Sequence, residues 1–422
     1  MLGGTVFSDK PEKLLNKNFL LLWQGQFVSR LGSQAFTVAM MFWIKRETGS
    51  ATLMGAVTML SMLPMVLLGP IGGTFADLHS RRRIIIACDV IHGVTVLSLA
   101  ALLLGTPEAT TLAAVWLAVV AVVSGVVSAF FQPAITAAIP SIVPSDRVAA
   151  ANSLNEGSFQ TSTLIGQGIG GVLFRLLGAP LMFLIDGLTF LYAAASEAFI
   201  SIPQTIPERA DSIRGRFRRH MLEVREGLRH VWARAGMRNL FLASALLNFF
   251  AMPYPVLFPF YVEDVLGATP DWFGYLMAAY GAGSLLGYAL WGSLRVSGRR
   301  RMRMLIFLLV AVSLCLAAVG LSRDRWLSLG LIVAAGIFSG AYNVAAITLI
   351  QLSTAEELRG RMFGLLNTLV LGLTPLSMGL AGVAADVLDH RVPVIFMVCG
   401  GALVVISIAI AANRAYRDFL AS

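Results

Sequence analysis

The chain has 422 residues, 57% of them hydrophobic and only 13% charged, and a formal net charge of +9. Soluble domains carry about 25% charged residues, so a soluble enzyme, a disordered chain and a secreted disulfide scaffold are all excluded. A bilayer-crossing helix uses about 20 apolar residues, and the composition accommodates about ten to twelve of them with little left for a soluble domain.

Apolar stretches of spanning length lie near 19–44, 51–76, 84–105, 111–139, 150–177, 180–202, 239–262, 272–294, 304–321, 326–351, 361–386 and 392–412. The fold class expected is therefore an all-α membrane protein with twelve transmembrane helices. Residues 1–18 are polar and are not expected to be a cleaved signal. The first span carries Gln26, Arg30, Ser33, Gln34 and Thr37 at helical spacing, which makes one polar stripe. An arginine near the midplane is costly and is by default a functional residue, so the stripe is expected to face a cavity.

Between the second and third spans the sequence reads GGTFADLHSRRR, with Gly73, Asp77, Arg81 and Arg82 in the spacing G-x-x-x-D-x-x-x-R-R. Gly73 is expected to allow close helix approach, Asp77 to cap or pair, and the arginines to bind carboxylates or headgroups. Asp89, at the start of span three, is expected to pair with this basic loop. Span four contributes Ser124, Ser128, Phe131 and Gln132. Span five holds Glu156 and a small-residue face of Ser162, Gly166, Gly170 and Gly171, suited to tight helix packing. Span six holds Asp186 and, late, Glu197, which is expected near the headgroups. By depth, Glu156 or Asp186 can approach Arg30, and a carboxylate that trades a proton against an arginine suits proton coupling. The alternative is a static ion pair. Glu156 is the expected coupling acid.

The long connection 203–238 places Ile213, Phe217, Met221, Val224, Leu228, Val231 and Ala235 on one helical face and arginines opposite. It reads as an amphipathic helix lying on the inner membrane surface, or alternatively as a partner-binding helix. Span seven brings Ser244, Asn248, Phe249 and Tyr254 within a proline-rich run, and span ten brings Ser339, Tyr342 and Asn343. Together with Phe27, these outline a wide, mostly apolar cavity with a few polar anchors.

GIGGV at 168–172 is matched by GLAGV at 379–383, about half the chain later. The expected domains are a six-helix bundle over 1–202, the linker 203–238, and a second six-helix bundle over 239–422. Such repeats belong to transporters. With the N-terminus inside, 25 of the 32 Lys and Arg fall on inner segments and six on outer ones, so both termini are expected in the cytoplasm. Cys88, Cys315 and Cys399 read as small buried hydrophobes. No catalytic constellation and no phosphate-binding Gly-Lys-Ser/Thr loop appear, and no cofactor or metal is implied.

The 73–82 loop resembles the inner-loop motif of the major facilitator superfamily, with Leu78 where a basic residue is usual and Ser80 where Gly is usual. Span five is similar to that superfamily's antiporter motif, with Gln167 in place of Pro. The stretches NKNFLLLWQGQFVSRLGSQAF, FFQPAITAAIPSIVPSDRVAAANSLN and LRGRMFGLLNTL resemble the branch of macrolide-efflux and enterobactin-exporter proteins. The resemblance implies two pseudo-symmetric six-helix bundles and a conformational latch at Gly73, Asp77, Arg81, Arg82 and Asp89. It also implies export from the cytoplasmic membrane in exchange for protons. A bulky amphipathic drug or siderophore is the expected substrate, with protons and the lipid bilayer as partners, no nucleic acid, and a monomer. The alternatives are a lipid or lysolipid flippase of the same fold and a non-transporting sensor or scaffold.

Overall fold

The computed structural model describes residues 13–204, 229, 231–233, 235–294, 296–353, 356–414 and 416–417, with backbone alone over 352–368. Most of the 203–238 linker lies outside the described residues.

Helix α1 (Lys17–Thr48) starts on Asn16, whose Oδ1 accepts from the Phe19 amide and whose Nδ2 donates to the Ile142 carbonyl. Next come α2 (Ala51–Leu78), α3 (Arg81–Gly105) and α4 (Thr110–Ile142). Ser80 caps α3 by accepting from the Arg83 amide. This gives a local reason for a serine at that position. The fifth and sixth predicted spans form one helical run, α5 (Val148–Glu197), kinked at Gly178 with φ 74° and ψ 169°. Only glycine adopts that backbone readily, and Pro180 opens the second limb.

The seventh span is broken. It comprises α6 (Ala235–Ala251), α7 (Pro253–Phe260) and a π-helical turn Tyr261–Val265. Prolines at 253, 255 and 259 remove backbone donors there, which interrupts a regular ladder. The chain finishes with α8 (Asp271–Ser293), α9 (Gly298–Leu321), α10 (Arg325–Ser353), α11 (Glu356–Val387) and α12 (Val392–Ala412).

Among the described residues, nine helical stretches are long and apolar enough to cross a membrane. Their outer faces present Val94, Leu112, Val115, Leu188, Phe307 and Val405, the surface a bilayer solvates. Helix α1 is not one of the nine, because its polar stripe dilutes it.

The chain forms two compact units. The first comprises residues 1–37, 64–166 and 177–218. Its core joins Phe19 and Leu22 of α1, Ile84 and Ile85 of α3, and Phe131, Ile135 and Ile139 of α4. A Cβ on Gly72 would lie 1.9 Å from the Ala129 carbonyl oxygen, so α2 and α4 touch backbone to backbone there. Gly73, the residue expected to serve close approach, has nothing within 4 Å of a built Cβ. The contact falls to its neighbour, because one helical step turns the side-chain direction by about 100°.

The second unit comprises residues 38–63, 167–176 and 219–422. In it α8 packs along α10 through glycines. A Cβ on Gly287 would be 2.1 Å from the Ile337 carbonyl, and one on Gly340 2.2 Å from that of Ser284. Here the internal repeat becomes visible as contacts. Gly171 of α5 abuts the Pro270 carbonyl just before α8, at 2.1 Å from a built Cβ. Half a chain later, Gly382 of α11 abuts the Ala51 carbonyl at the start of α2, at 2.2 Å.

Candidate functional site

The polar stripe of α1 runs into the first unit and meets polar groups of α3 and of both limbs of α5. Gln26 is 2% exposed, and its Nε2 donates to Glu197 Oε1 at 2.7 Å. Glu197 and Asp89 of α3 are each 1% exposed, and their carboxyls lie within hydrogen-bonding reach of one another. One helical turn along α3, His92 lies against the Phe190 ring, tilted by 33°, and places Nε2 3.7 Å from Oδ2 of the fully buried Asp186. Ser33 of α1 stands beside the same carboxyl. Gly32 makes room for it: a Cβ there would lie 2.7 Å from Asp186 Oδ1.

Arg30 reaches the first limb of α5. Its Nη1 donates to the Asn155 carbonyl at 3.0 Å and to Ser158 Oγ at 3.4 Å, and its guanidinium lies 5.7 Å from the Phe159 ring centroid. It makes no ion pair among the described residues. Glu156 is exposed and accepts from Gln160 at 3.0 Å. The expected buried Arg30–Glu156 ion pair is not formed: Arg30 takes the carbonyl one residue earlier, and Glu156 is exposed, although its charge still acts on the guanidinium from nearby. Asp186 forms no ion pair with Arg30 either; its basic neighbour is His92. One further expectation changes: Asp89 faces Glu197 and not the basic loop. Glu197 is the last residue of α5 and is buried among protein side chains.

In the 73–82 segment, which joins the end of α2 to the start of α3, Asp77 and Arg81 stand 3.8 Å apart. Arg81 Nη1 donates to the Ala137 carbonyl at 2.9 Å and to Ser141 Oγ at 3.3 Å, so the loop is fastened to α4. Arg82 donates to the Ala198 carbonyl, just after α5. Gln204 accepts from the Arg81 amide and donates to the His79 carbonyl, both at 3.0 Å. In the small-residue face of α5, Ser162 donates to the Phe27 carbonyl at 3.3 Å. Built Cβ atoms on Gly166 and Gly170 would come within 2.5 Å of Gln34 and 2.8 Å of Val38, so this face lies on α1.

The remaining expected residues are dispersed. Gln132 and Asn343 are exposed. Asn248 Oδ1 accepts from Thr374 at 2.8 Å, and Tyr342 hydroxyl meets that of Tyr416 at 3.3 Å. Tyr254, expected as a cavity wall, is 3% exposed and donates to the Leu316 and Phe396 carbonyls, so it is a packing residue of the second unit.

Sequence reasoning passed over His92 and the pairing of Asp89 with Glu197. A signal was present: Asp89 and His92 are three residues apart on an otherwise apolar helix, the spacing of one face. It also missed the cluster in which Lys45 contacts Glu263 at 2.8 Å and Asp264 at 2.6 Å, and Arg46 contacts Glu263 at 2.9 Å. Among the described residues no group of His, Cys, Asp and Glu is arranged to hold a metal.

This arrangement has the marks of a polytopic carrier: buried ionisable groups on apolar helices, a long polar first helix and a repeat expressed in the packing. Known proteins agree. Macrolide efflux protein A of Streptococcus pyogenes is 25% identical over 373 residues, covering 87% of this chain and 89% of that protein. Multidrug efflux pump Tap of Mycolicibacterium fortuitum is 27% identical over 381 residues, with 87% and 89% covered. A bacterial homologue of the human lysosomal transporter Spinster superposes with a TM-score of 0.66 at 17% identity, over 96% of both chains. A D-xylose–proton symporter superposes with a TM-score of 0.70 at 13% identity, over 93% of this chain and 96% of that one. The sequence profile of the transmembrane secretion effectors matches residues 12–420, and the chain belongs to that family, a multi-pass transporter of the major facilitator superfamily on the macrolide-efflux branch.

Proposed function

We propose that the protein is a secondary active exporter that carries bulky amphipathic molecules of drug or siderophore type out across the cytoplasmic membrane in exchange for protons. It works as a monomer with both termini in the cytoplasm, by alternating access, with 1–202 and 239–422 as its two six-helix bundles. The carrying observation is the near full-length match to relatives named for macrolide and multidrug efflux. Buried acids and a buried base on α1, α3 and α5 support the ion-coupled part, since such groups in membrane helices mark ion and substrate pathways. Gln26, Arg30 and Gln34 of α1, with Gln132, Asn248, Tyr342 and Asn343, are the polar residues proposed for the pathway. The 73–82 loop, tied down by Arg81 and Arg82, is proposed as the latch.

The test uses proteoliposomes loaded with an acidic buffer and a radiolabelled macrolide, erythromycin, outside. An imposed pH gradient should drive its accumulation, and collapsing the gradient with a protonophore should abolish it. Uptake equal to that of protein-free liposomes for erythromycin and for a panel of cationic dyes overturns the reading. Glu156→Gln should keep gradient-driven transport, because Glu156 is exposed and, among the described residues, forms no ion pair with Arg30.

A further inference from the structure

The pair formed by Asp89 and Glu197 has no place in the sequence motifs of the chain. Three helical segments bring it together: α3 supplies Asp89, the end of α5 supplies Glu197, and α1 supplies Gln26. Both carboxyls are 1% exposed. The Gln26 amide occupies Oε1 of Glu197. Asp89 Oδ1, Asp89 Oδ2 and Glu197 Oε2 receive no N–H or O–H donor among the described residues. Three buried acceptor atoms without a donor are expensive, and two adjoining carboxylates with no basic side chain paired to either among the described residues repel one another when both are ionised.

The surrounding charged and titratable groups do not remedy this. On α3, Cys88 Sγ lies against the Val127 carbonyl, His92 faces Asp186, and Arg82 donates to the Ala198 carbonyl. On α1, Arg30 donates to the Asn155 carbonyl. Helix α4, which packs on α3, has no ionisable side chain. On α5 the other buried acid is Asp186, three turns before Glu197, with His92 as its neighbour. A proton on one carboxyl would give the other a donor and remove the repulsion.

We propose that Asp89 and Glu197 are a proton-binding site, with a proton held between the two carboxyls and Gln26 orienting the Glu197 side, and that this is the proton exchanged for substrate. The proton binds as an O–H on one carboxyl, hydrogen-bonded to the other. When water reaches the pair it leaves as hydronium, and no other bond forms or breaks. The coupling role rests on the antiport reading above; the shared proton does not.

The two parts are tested separately. Infrared spectra of the wild-type protein in nanodiscs, titrated from acid to alkaline buffer, should contain a carboxylic C=O stretch that disappears on titration. That band should be absent in both Asp89→Asn and Glu197→Gln. These amides match the neutral acids in size and charge, so the variants should fold; if one does not, the other decides. A band unchanged in the variants, or a wild-type band indifferent to pH, overturns the shared proton. In the erythromycin assay, both variants should fall to the level of protein-free liposomes under a pH gradient, and Glu197→Asp should recover part of the flux. Full gradient-driven transport by both amide variants overturns the coupling role and leaves antiport standing. Absence of gradient-driven transport in the wild type overturns antiport, whatever the infrared band does.

Discussion

Adjacent glycines at the end of α2 separate what a sequence motif suggests from what packing demands. Gly72 lies against the α4 backbone, and Gly73 faces open space. Gly72→Ala must push the two helices apart, because a Cβ 1.9 Å from a carbonyl oxygen cannot be accommodated by a side-chain rotation. Overpacking of this kind costs about 1–3 kcal/mol or more, and the thermal unfolding temperature in detergent should fall clearly. Gly73→Ala should be neutral or stabilising by about 0.5–1 kcal/mol, the gain of removing a glycine from a helix interior. Equal losses at the two positions would contradict the geometry. The motif spacing was legible in the sequence, but the residue that makes the contact was not. Spacing alone does not orient a helix about its axis to the precision of one residue.

At the scale of elements, the beginning of α2 is held by another helix. Asp386 of α11 accepts from the amides of Ala51 and Thr52, both at 2.8 Å, and from Ser50 Oγ at 2.9 Å. Ser50 Oγ in turn accepts from the Leu53 amide at 3.0 Å. A carboxylate here satisfies donors that the helix leaves orphaned and suits the positive end of the dipole. Asp386→Ala should lower stability by about 1 kcal/mol, as for loss of an N-cap, read as a drop in unfolding temperature; Asp386→Asn should lose less. The repeat places Arg175 of α5 beside Asp271 of α8 at the corresponding place, with the pair at 3.1 Å. Helix positions followed from apolar length, and the observed helices lie within a few residues of the predicted ones. The broken seventh span follows from its prolines, whereas the π turn after it has no sequence signature.

For the whole molecule, charge asymmetry is the strongest guide to orientation. Lys45, Arg46 and Arg175, half of the six basic residues assigned to outer segments, are matched by Glu263, Asp264 and Asp271. The segments assigned to the inner side hold 25 of the 32 Lys and Arg, the asymmetry that the positive-inside rule describes. A cysteine placed at the exposed Glu108, between α3 and α4, should therefore react with a membrane-impermeant thiol reagent on intact cells. A cysteine at the exposed Lys13 should react only after permeabilisation. The reverse pattern would invert the topology and with it the direction of transport.

The membrane class, the helix count and the internal repeat all follow from composition and periodicity. These properties depend on how many apolar residues occur in a row, and that is written locally. The partners of ionisable groups were another matter. Arg30, Asp89, Asp186 and Glu197 each stand out in the sequence, yet for Arg30, Asp89 and Asp186 the partner that the sequence suggests is not the one found in the structure. A buried charge selects its partner from whatever the neighbouring helices bring within about 3–4 Å, and that depends on helix rotation and axial offset between segments more than 100 residues apart. Depth along one helix constrains the axial coordinate only. The packing of α1, α3 and α5 supplied the other two, and with them the acid pair.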